Sequence, residues 1–476
     1  MANNKIIAHL RANHRTCLSK TALIDDTKQV SYQELWADVD RYATLFQEQH
    51  IGPGKVVVLS FPNSIDLCVS LLAIMQLGAV PLIVNDVQEN TIDFQALNVY
   101  GFLIHKKSTH SIFYKQAVQQ MGSSAITDFV FFPNEHYQPS SPVAAALLLT
   151  SSGSTSHSKV VQLSAQSILK NIKANAASLG IQASDITIVA LPMNYSYGLI
   201  GQFLSHLLKG CTLVLTDTKF AITQIPKLIQ KYRATSLFTV PPMVRQINYW
   251  HDKGFYQGDF SSLRFVTVGG NHIERSSLVK AMKLFKCRFI KTYGLAEAGP
   301  RVSTNVIDAV TSDEIDSVGM PIPGVTIEVV DDNGKPVPAG QEGTVLITSP
   351  SVMIGYLNAD MPEKTIPHQH ILTKDRGYLS ASGKLSVLGR MGDSIEVSGK
   401  TVWFNQIADV IYSTGQILKL TLSKEGNKVR IVAIPMGRCK ITEEAISLIL
   451  CENFHVDAWS SFEIEVVGST TVGIVK

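Results

Sequence analysis

The first stretch whose residue types and spacing suggest chemistry is 147–164, LLLTSSGSTSHSKVVQLS. The apolar run 144–149 predicts a fully buried strand. It breaks into Thr150-Ser151-Ser152-Gly153-Ser154-Thr155-Ser156, closes on Lys159, and a second apolar stretch, 160–163, comes next. A strand, a hydroxyl-rich loop and a lysine can hold a polyphosphate. Gly153 lets backbone N–H groups approach the oxygens, the hydroxyls donate further hydrogen bonds, and the ammonium screens charge. The loop is not a Walker A loop, because Ser158 and Val160 stand where that motif needs Gly and Ser or Thr. Ser156-x-x-Lys159 also fits the SxxK of serine acyl-enzymes, but neither companion element, SDN or KTG, occurs. Alone, the loop equally reads as a Ser-rich surface turn. Other segments must decide.

The 476 residues are enough for two or three domains, and 45% apolar content supports large cores. Charged residues make up only 17%, and the net charge of +3 comes without a basic run, which excludes a disordered tail and a nucleic-acid partner. Cys17, Cys68, Cys211, Cys287, Cys439 and Cys451 are scattered without CxxC spacing. That predicts reduced thiols in a cytoplasmic protein and no zinc site or disulfide framework. The start, MANNKIIAHLRANHRTC, lacks the apolar core of a signal peptide. The uncharged stretch 67–84 contains Ser70, Gln76, Gly78 and Pro81. It divides into a helix with the stripe Leu67, Leu71, Ile74, Met75 and a strand over 80–84, so no membrane span is expected.

These residues must be positioned by the surrounding elements. Over 21–140, helical and strand patterns alternate, as in a mostly parallel α/β sheet. Farther on, predicted strands end at Pro192-Met193-Asn194-Tyr195-Ser196-Tyr197-Gly198, at Pro241-Pro242, at Gly269-Gly270-Asn271 and at Tyr293. Open α/β sheets place ligands at such strand ends. After residue 316, Gly and Pro punctuate short β runs, which predicts a small antiparallel β subdomain. Residues 389–393 read as a linker. β runs and one helix (443–450) then make an α+β tail.

Several side chains suit a nucleotide. Gly269-Gly270 admits a flat ring, Tyr293 before Gly294 offers an aromatic face, and Glu297 suits Mg²⁺. Asp375 suits ribose hydroxyls, and Arg390 suits ribose or phosphate. Singly, each also reads as an ordinary turn or surface residue. Together and in this order, the segments resemble the adenylate-forming superfamily of acyl- and aryl-CoA synthetases, nonribosomal-peptide adenylation domains and luciferase. The resemblance rests on Ser152-Gly-Ser-Thr-Ser-His-Ser-Lys159 against SG(S/T)TGxPK, and on Tyr293-Gly-Leu-Ala-Glu297 against YGxTE. Ser317-Val-Gly-Met-Pro321, Gly355-Tyr356, Thr373-Lys-Asp375 against TGD, and Gly389-Arg390 extend it.

The resemblance implies an α/β fold: a large N-terminal domain of α/β layers (1–390, with a β subdomain at about 317–390) and a small mobile α+β C-terminal domain (391–476) after a hinge near Gly392. It implies that a small carboxylic acid attacks ATP–Mg²⁺ to give acyl-AMP and pyrophosphate. The acyl group then passes to the pantetheine thiol of CoA or of the phosphopantetheine arm on a carrier protein. Nucleotide binding is implied for Ser152, Gly153, Ser154, Thr155, Gly269, Gly270, Asn271, Tyr293, Gly294, Ala296, Asp375 and Arg390. Catalytic roles are implied for Thr155, Lys159, Glu297 (also the metal ligand) and Lys476, and an acid pocket for Tyr195, Ser196, Tyr197 and Val240. The chain departs from the pattern at Ser156, Ser158, Ala296, Lys374 and Glu396. Ile474 stands where the family has its catalytic lysine, and Lys476 is two residues on. A catalytically weak homologue that binds nucleotide or acyl-AMP as a partner or scaffold protein is therefore the alternative reading.

Overall fold

Alternation along each strand sorts the chain into layers. In the strand Val56–Ser60, Val57 and Leu59 join one core while Val56 and Val58 join another, as the two faces of a pleated strand require. All four are buried, so the sheet is covered on both faces, as parallel sheets are. The computed structural model describes residues 4–89, 91–108, 111–112, 128–151, 158–216, 221–308, 315–360, 365–367, 369–397, 399–426, 428–437, 439–454 and 461–467.

Among the described residues, one sheet orders seven strands: Gly355–Tyr356, Val160–Leu163, Leu147–Thr150, Val80–Val84, Val56–Ser60, Gly101–His105 and Phe129–Pro133. A second orders nine: Met320–Pro321, Arg301–Ile307, Arg288–Gly294, Phe265–Val268, Ser236–Thr239, Ile186–Val189, Thr212–Leu215, Thr21–Ile24 and Gln29–Ser31. Between the sheets lie the helices Tyr32–Glu48, Ile65–Gln76 and Ala165–Leu179. Their core takes in Leu59 and Leu149 from one sheet and Val189 and Leu213 from the other. Helices Ala221–Tyr232, Pro241–Asp252 and Arg275–Phe285 cover the other face of the second sheet. This is the expected layered α/β architecture.

Local signals set the helix ends. Ser31 and Glu34 form a capping box at the start of Tyr32–Glu48, an arrangement worth about 1 kcal/mol. Ser164 caps Ala165–Leu179, and Gly180 ends it with φ +62°. The uncharged stretch becomes the helix Ile65–Gln76 and the strand Val80–Val84. Among the described residues no helix is long and apolar enough to cross a membrane.

The structure adds two features and corrects two expectations. Pro241-Pro242 opens a helix rather than a loop, because proline's fixed φ and missing N–H suit the first helical turn. The stretch leading away from Tyr197 begins as a π-helix, Tyr197–Leu204, and only then continues as Ser205–Leu208. Gly389 and Arg390 end the strand Leu385–Arg390 and are not linker. The tail has a second helix, Phe404–Tyr412, whose β-branched and aromatic residues gave it the composition of a strand.

The antiparallel subdomain is present as Thr326–Val330, Gly343–Thr348, His370–Leu379 and Leu385–Arg390. Beyond it, Ile395, Ile407, Ile431, Leu450 and Phe462 belong to a core of their own. This tail meets the rest through polar contacts that include Asn405 Nδ2 donating to Leu388 O at 2.9 Å. The Arg245 guanidinium, bonded to Glu274 (Nη2–Oε2 2.7 Å), lies 3.3 Å from the centroid of the Tyr412 ring. His272 Nε2 is 2.6 Å from Asp409 Oδ1.

Two buried histidines tie this fold to pH. His206 lies 2.8 Å (Nδ1) from Gln202 O and 3.1 Å (Nε2) from Ser236 Oγ, and burial lowers its pKa to about 4. His14, 2.6 Å from Leu207 O, is likewise lowered to about 4 by burial. Both fold neutral, so their contribution is complete above the ordinary value of 6.5 and is lost as pH falls toward 4. The melting temperature should therefore drop across that window. His206→Gln should flatten part of the drop in calorimetry, and an unchanged slope would contradict the assignment.

Candidate active site

The phosphate-type loop hangs from the antiparallel pair Leu147–Thr150 and Val160–Leu163, in which Thr150 faces Val160. Its neck is closed by Ser151 N–H donating to Lys159 O at 2.9 Å. Ser152, Gly153, Ser154 and Thr155, like Lys476, lie outside the described residues. The strand end is braced from two sides. Gln88 donates to Thr150 Oγ1 and accepts from Asn194 Nδ2 at 2.7 Å, while Ser158 N–H donates to Thr91 O at 3.1 Å.

On the free edge of Val160–Leu163 sits Gly355–Tyr356, with Tyr356 opposite Val161. Asn358 locks this register: Oδ1 accepts from Val160 N–H at 2.8 Å, and Nδ2 donates to Ser158 O at 2.9 Å. The pairing brings the Tyr356 ring under the Lys159 ammonium, 4.9 Å from the ring centroid. Its hydroxyl donates to Glu297 Oε1 at 2.8 Å. Burial, reinforced by that carboxylate, pushes the phenol's pKa up, so it stays a donor. Glu297 rides on the single turn Ala296–Ala298, pinned by Met353 N–H donating to Glu297 O at 2.8 Å. Lysine, phenol and carboxylate thus converge from three distant segments. Tyr356 appeared in the sequence only as half of a matched dipeptide, and its spacing gave no sign of this role.

A second group forms around Asp375. This buried residue lies across the β ladder from Arg390; Tyr293 donates to its Oδ2, and Arg390 Nε is 3.5 Å from its Oδ1. Arg390 is half exposed, so the ion pair is weak and open to exchange. The three residues read separately from sequence are one cluster.

Of the four residues expected to form an acid pocket, Tyr197 and Val240 come together at Gly270, where the second sheet's strands end, whereas the Tyr195 hydroxyl bonds to Asn85 and Asn194. A methyl group at Gly269 would lie 2.1 Å from Thr292 Oγ1, so only glycine lets these strand ends close up. A methyl at Gly270 would touch Val240 Cγ1 (3.5 Å) and the Tyr197 ring (3.8 Å). Tyr197's hydroxyl is 2.6 Å from Thr267 Oγ1. Gly294 abuts Pro300 O, and Ala296 packs at the edge of the central core. Tyr195 and Ser196 lead into the π-helix, and burial raises the Tyr195 phenol's pKa. Asn271 is exposed, and its Oδ1 accepts from the next backbone N–H, His272, at 2.8 Å. Among the described residues no group of three or more His, Cys, Asp or Glu could hold a metal by itself. A cation at Glu297 would need oxygens from a ligand.

The chain belongs to the AMP-binding enzyme family, whose model matches residues 10–357. It is 26% identical over 385 residues to a 2-succinylbenzoate–CoA ligase of Enterococcus faecalis, covering 80% of this chain and 78% of that one. It is 24% identical over 440 residues to an oxalate–CoA ligase of Arabidopsis thaliana, covering 87% and 85%. The fold is similar to that of an anthranilate CoA ligase in complex with anthranoyl-AMP (TM-score 0.82, 18% identity, 99% of this chain and 95% of that one). An o-succinylbenzoate CoA synthetase from Bacillus subtilis, in complex with its acyl-adenylate, gives a TM-score of 0.78 at 18% identity, covering 98% and 95%. The protein is an AMP-forming acid–thiol ligase: it activates a carboxylic acid as acyl-AMP before a thioester is made.

Tyr356→Phe keeps the ring under Lys159 and removes only the bond to Glu297. It should slow adenylation about tenfold, roughly 1.4 kcal/mol, with little change in melting temperature. An unaltered rate would show that Glu297 needs no such restraint.

Proposed function

We propose that this protein activates a small carboxylic acid with ATP in the cytoplasm and transfers the acyl group to the thiol of CoA. The observation that carries the reading is the convergence of Lys159, Tyr356 and Glu297 at one end of the site, with the Tyr293–Asp375–Arg390 cluster as the second group. The acid's oxygen attacks the α-phosphorus, and the bond to the pyrophosphate oxygen breaks. Lys159 offsets the charge that builds on the phosphates, and Tyr356 keeps the Glu297 carboxylate aimed. Glu297, together with phosphate oxygens, would hold Mg²⁺, whose chemistry is to neutralise charge on the departing pyrophosphate. Asp375 takes the ribose hydroxyls as its contact with Arg390 gives way. The thiol then loses its proton, sulfur attacks the acyl carbonyl, and AMP leaves.

CoA is taken as acceptor because the relatives are named for it. Those same names span 2-succinylbenzoate, oxalate and long-chain fatty acids, so they do not specify the acid. The six free cysteines suit a reducing compartment. Residues 391–476 act as a mobile domain turning at Gly392, which sits at φ +94° with open space around it. The Arg245–Tyr412 and His272–Asp409 contacts are what such a turn must break.

The test is acid-dependent exchange of labelled pyrophosphate into ATP. Glu297→Ala should reduce exchange with the melting temperature preserved. Asp375→Asn should weaken ATP binding by about 1–3 kcal/mol, the loss of a charge-assisted hydrogen bond. Tight ATP binding with no exchange against a broad panel of acids would favour the scaffold reading. Gly392→Ala, strained at its positive φ, should slow thioester formation more than exchange. Equal slowing of both would remove the hinge.

A further inference from the structure

One short segment, the helical turn Asp86–Glu89 with Thr91 after it, grips both sides of the neck that carries Lys159. On one side Gln88 Nε2 donates to Thr150 Oγ1. On the other, Ser158 N–H donates to Thr91 O at 3.1 Å, and the two hydroxyls lie 2.8 Å apart. Thr91 N–H donates back to Gln88 O at 3.0 Å, so the two grips form one unit.

The other end of the Gln88 amide turns toward the acid side. Its Oε1 accepts from Asn85 N–H at 3.2 Å and from Asn194 Nδ2 at 2.7 Å. A backbone N–H can only donate, which fixes Oε1 on this side and Nε2 on the side of Thr150. Asn85 and Asn194 in turn meet the Tyr195 hydroxyl. Asn194 and Tyr195 belong to the loop 192–198, which is tightly folded: a methyl on Gly198 would lie 2.5 Å from Pro192 O. The same loop carries Tyr197 to its place beside Gly270.

Thr150, Gln88 and Asn194 are 5%, 7% and 4% exposed. At that depth a partner that withdraws leaves an amide group buried and unpaired. A residue that only filled space between two loops would be apolar and would run no such risk. Gln88 instead keeps one amide end on each loop, so a shift of either loop is penalised unless the other follows. The positions of the two loops thus depend on each other.

We infer that Gln88 is a positioning residue that couples the acid side of the site to the nucleotide side. A bound acid, by settling the loop 192–198, fixes Thr150 and Ser158 where Lys159 serves ATP, and ATP acts in the reverse direction. This rests on the reading of the site as one for an acid and ATP, and it adds a physical link between the two ligands.

The experiment uses the α,β-methylene analogue of ATP, which cannot be cleaved at the bond adenylation breaks. It is paired with whichever of oxalate, butyrate, benzoate and decanoate best supports pyrophosphate exchange. Saturating acid should tighten the analogue about fivefold or more in the wild type, and the analogue should tighten the acid by the same factor. Gln88→Met, close in size but without an amide, should bring that factor to about one while each ligand alone still binds. Thr150→Val, which replaces only the hydroxyl, should do the same, and Thr150→Ser, which keeps it, should retain the coupling. The Thr150 pair carries the test if Gln88→Met does not fold. An uncoupled wild type, coupling that survives Gln88→Met, affinities for the single ligands that fall as far as the coupling does, or equal losses in Thr150→Ser and Thr150→Val would overturn the inference. If no acid supports exchange, the adenylation reading fails by itself. The fluorine resonance of a fluorotyrosine at Tyr195, assigned with Tyr195→Phe, then decides. A shift on adding the analogue that is lost in Thr150→Val upholds the link, and no shift in the wild type, or the same shift in both, overturns it.

Discussion

The pairing of Gly355–Tyr356 with Val160–Leu163 is the constraint on which the site depends. Without it, the lysine after the hydroxyl-rich loop and the carboxylate of the turn Ala296–Ala298 belong to separate sheets with no reason to meet. The short strand, fixed by Asn358 and by Met353 N–H on Glu297 O, makes them neighbours. A two-residue strand cannot hold such a register by ladder bonds alone. The Asn358 side chain, bonded to both Val160 and Ser158, supplies the remainder.

The tail adds a second constraint of a different kind. The Arg245–Glu274 pair is almost wholly buried, with side chains 6% and 2% exposed. Such a pair contributes little net stability, but it leaves the guanidinium flat and immobile. That flat face is what the Tyr412 ring rests on. Desolvating two charges here yields geometry rather than stability, giving the tail one defined place to sit.

Much of this was legible in the chain because the signals are local. The helix Ala165–Leu179 is legible to both of its ends, since Ser164 and Gly180 are strong boundary residues. The Gly269-Gly270 approach and the antiparallel subdomain also announce themselves within a few residues. Phe404–Tyr412 is less plain, because its β-branched and aromatic content suits a strand and only the helical spacing of Phe404, Ile407 and Ile411, which pack into the tail's core, marks it as a helix. Tyr356 was illegible as a site residue for another reason. What it does is set by a partner more than fifty residues away, Glu297. No spacing rule reaches that far.

The π-helix Tyr197–Leu204 has a consequence for how this protein can diversify. A π turn behaves as an α-helix carrying an inserted residue, and removal of one residue restores the tighter coil. Such a deletion would close the wide turn and leave the residues beyond it, Leu207 and Leu208 among them, on the faces they already present to the core. Only the residues of the wide turn itself would change places. A single codon lost or gained can thus exchange what stands beside Tyr197 in one step while the packing on either side is kept.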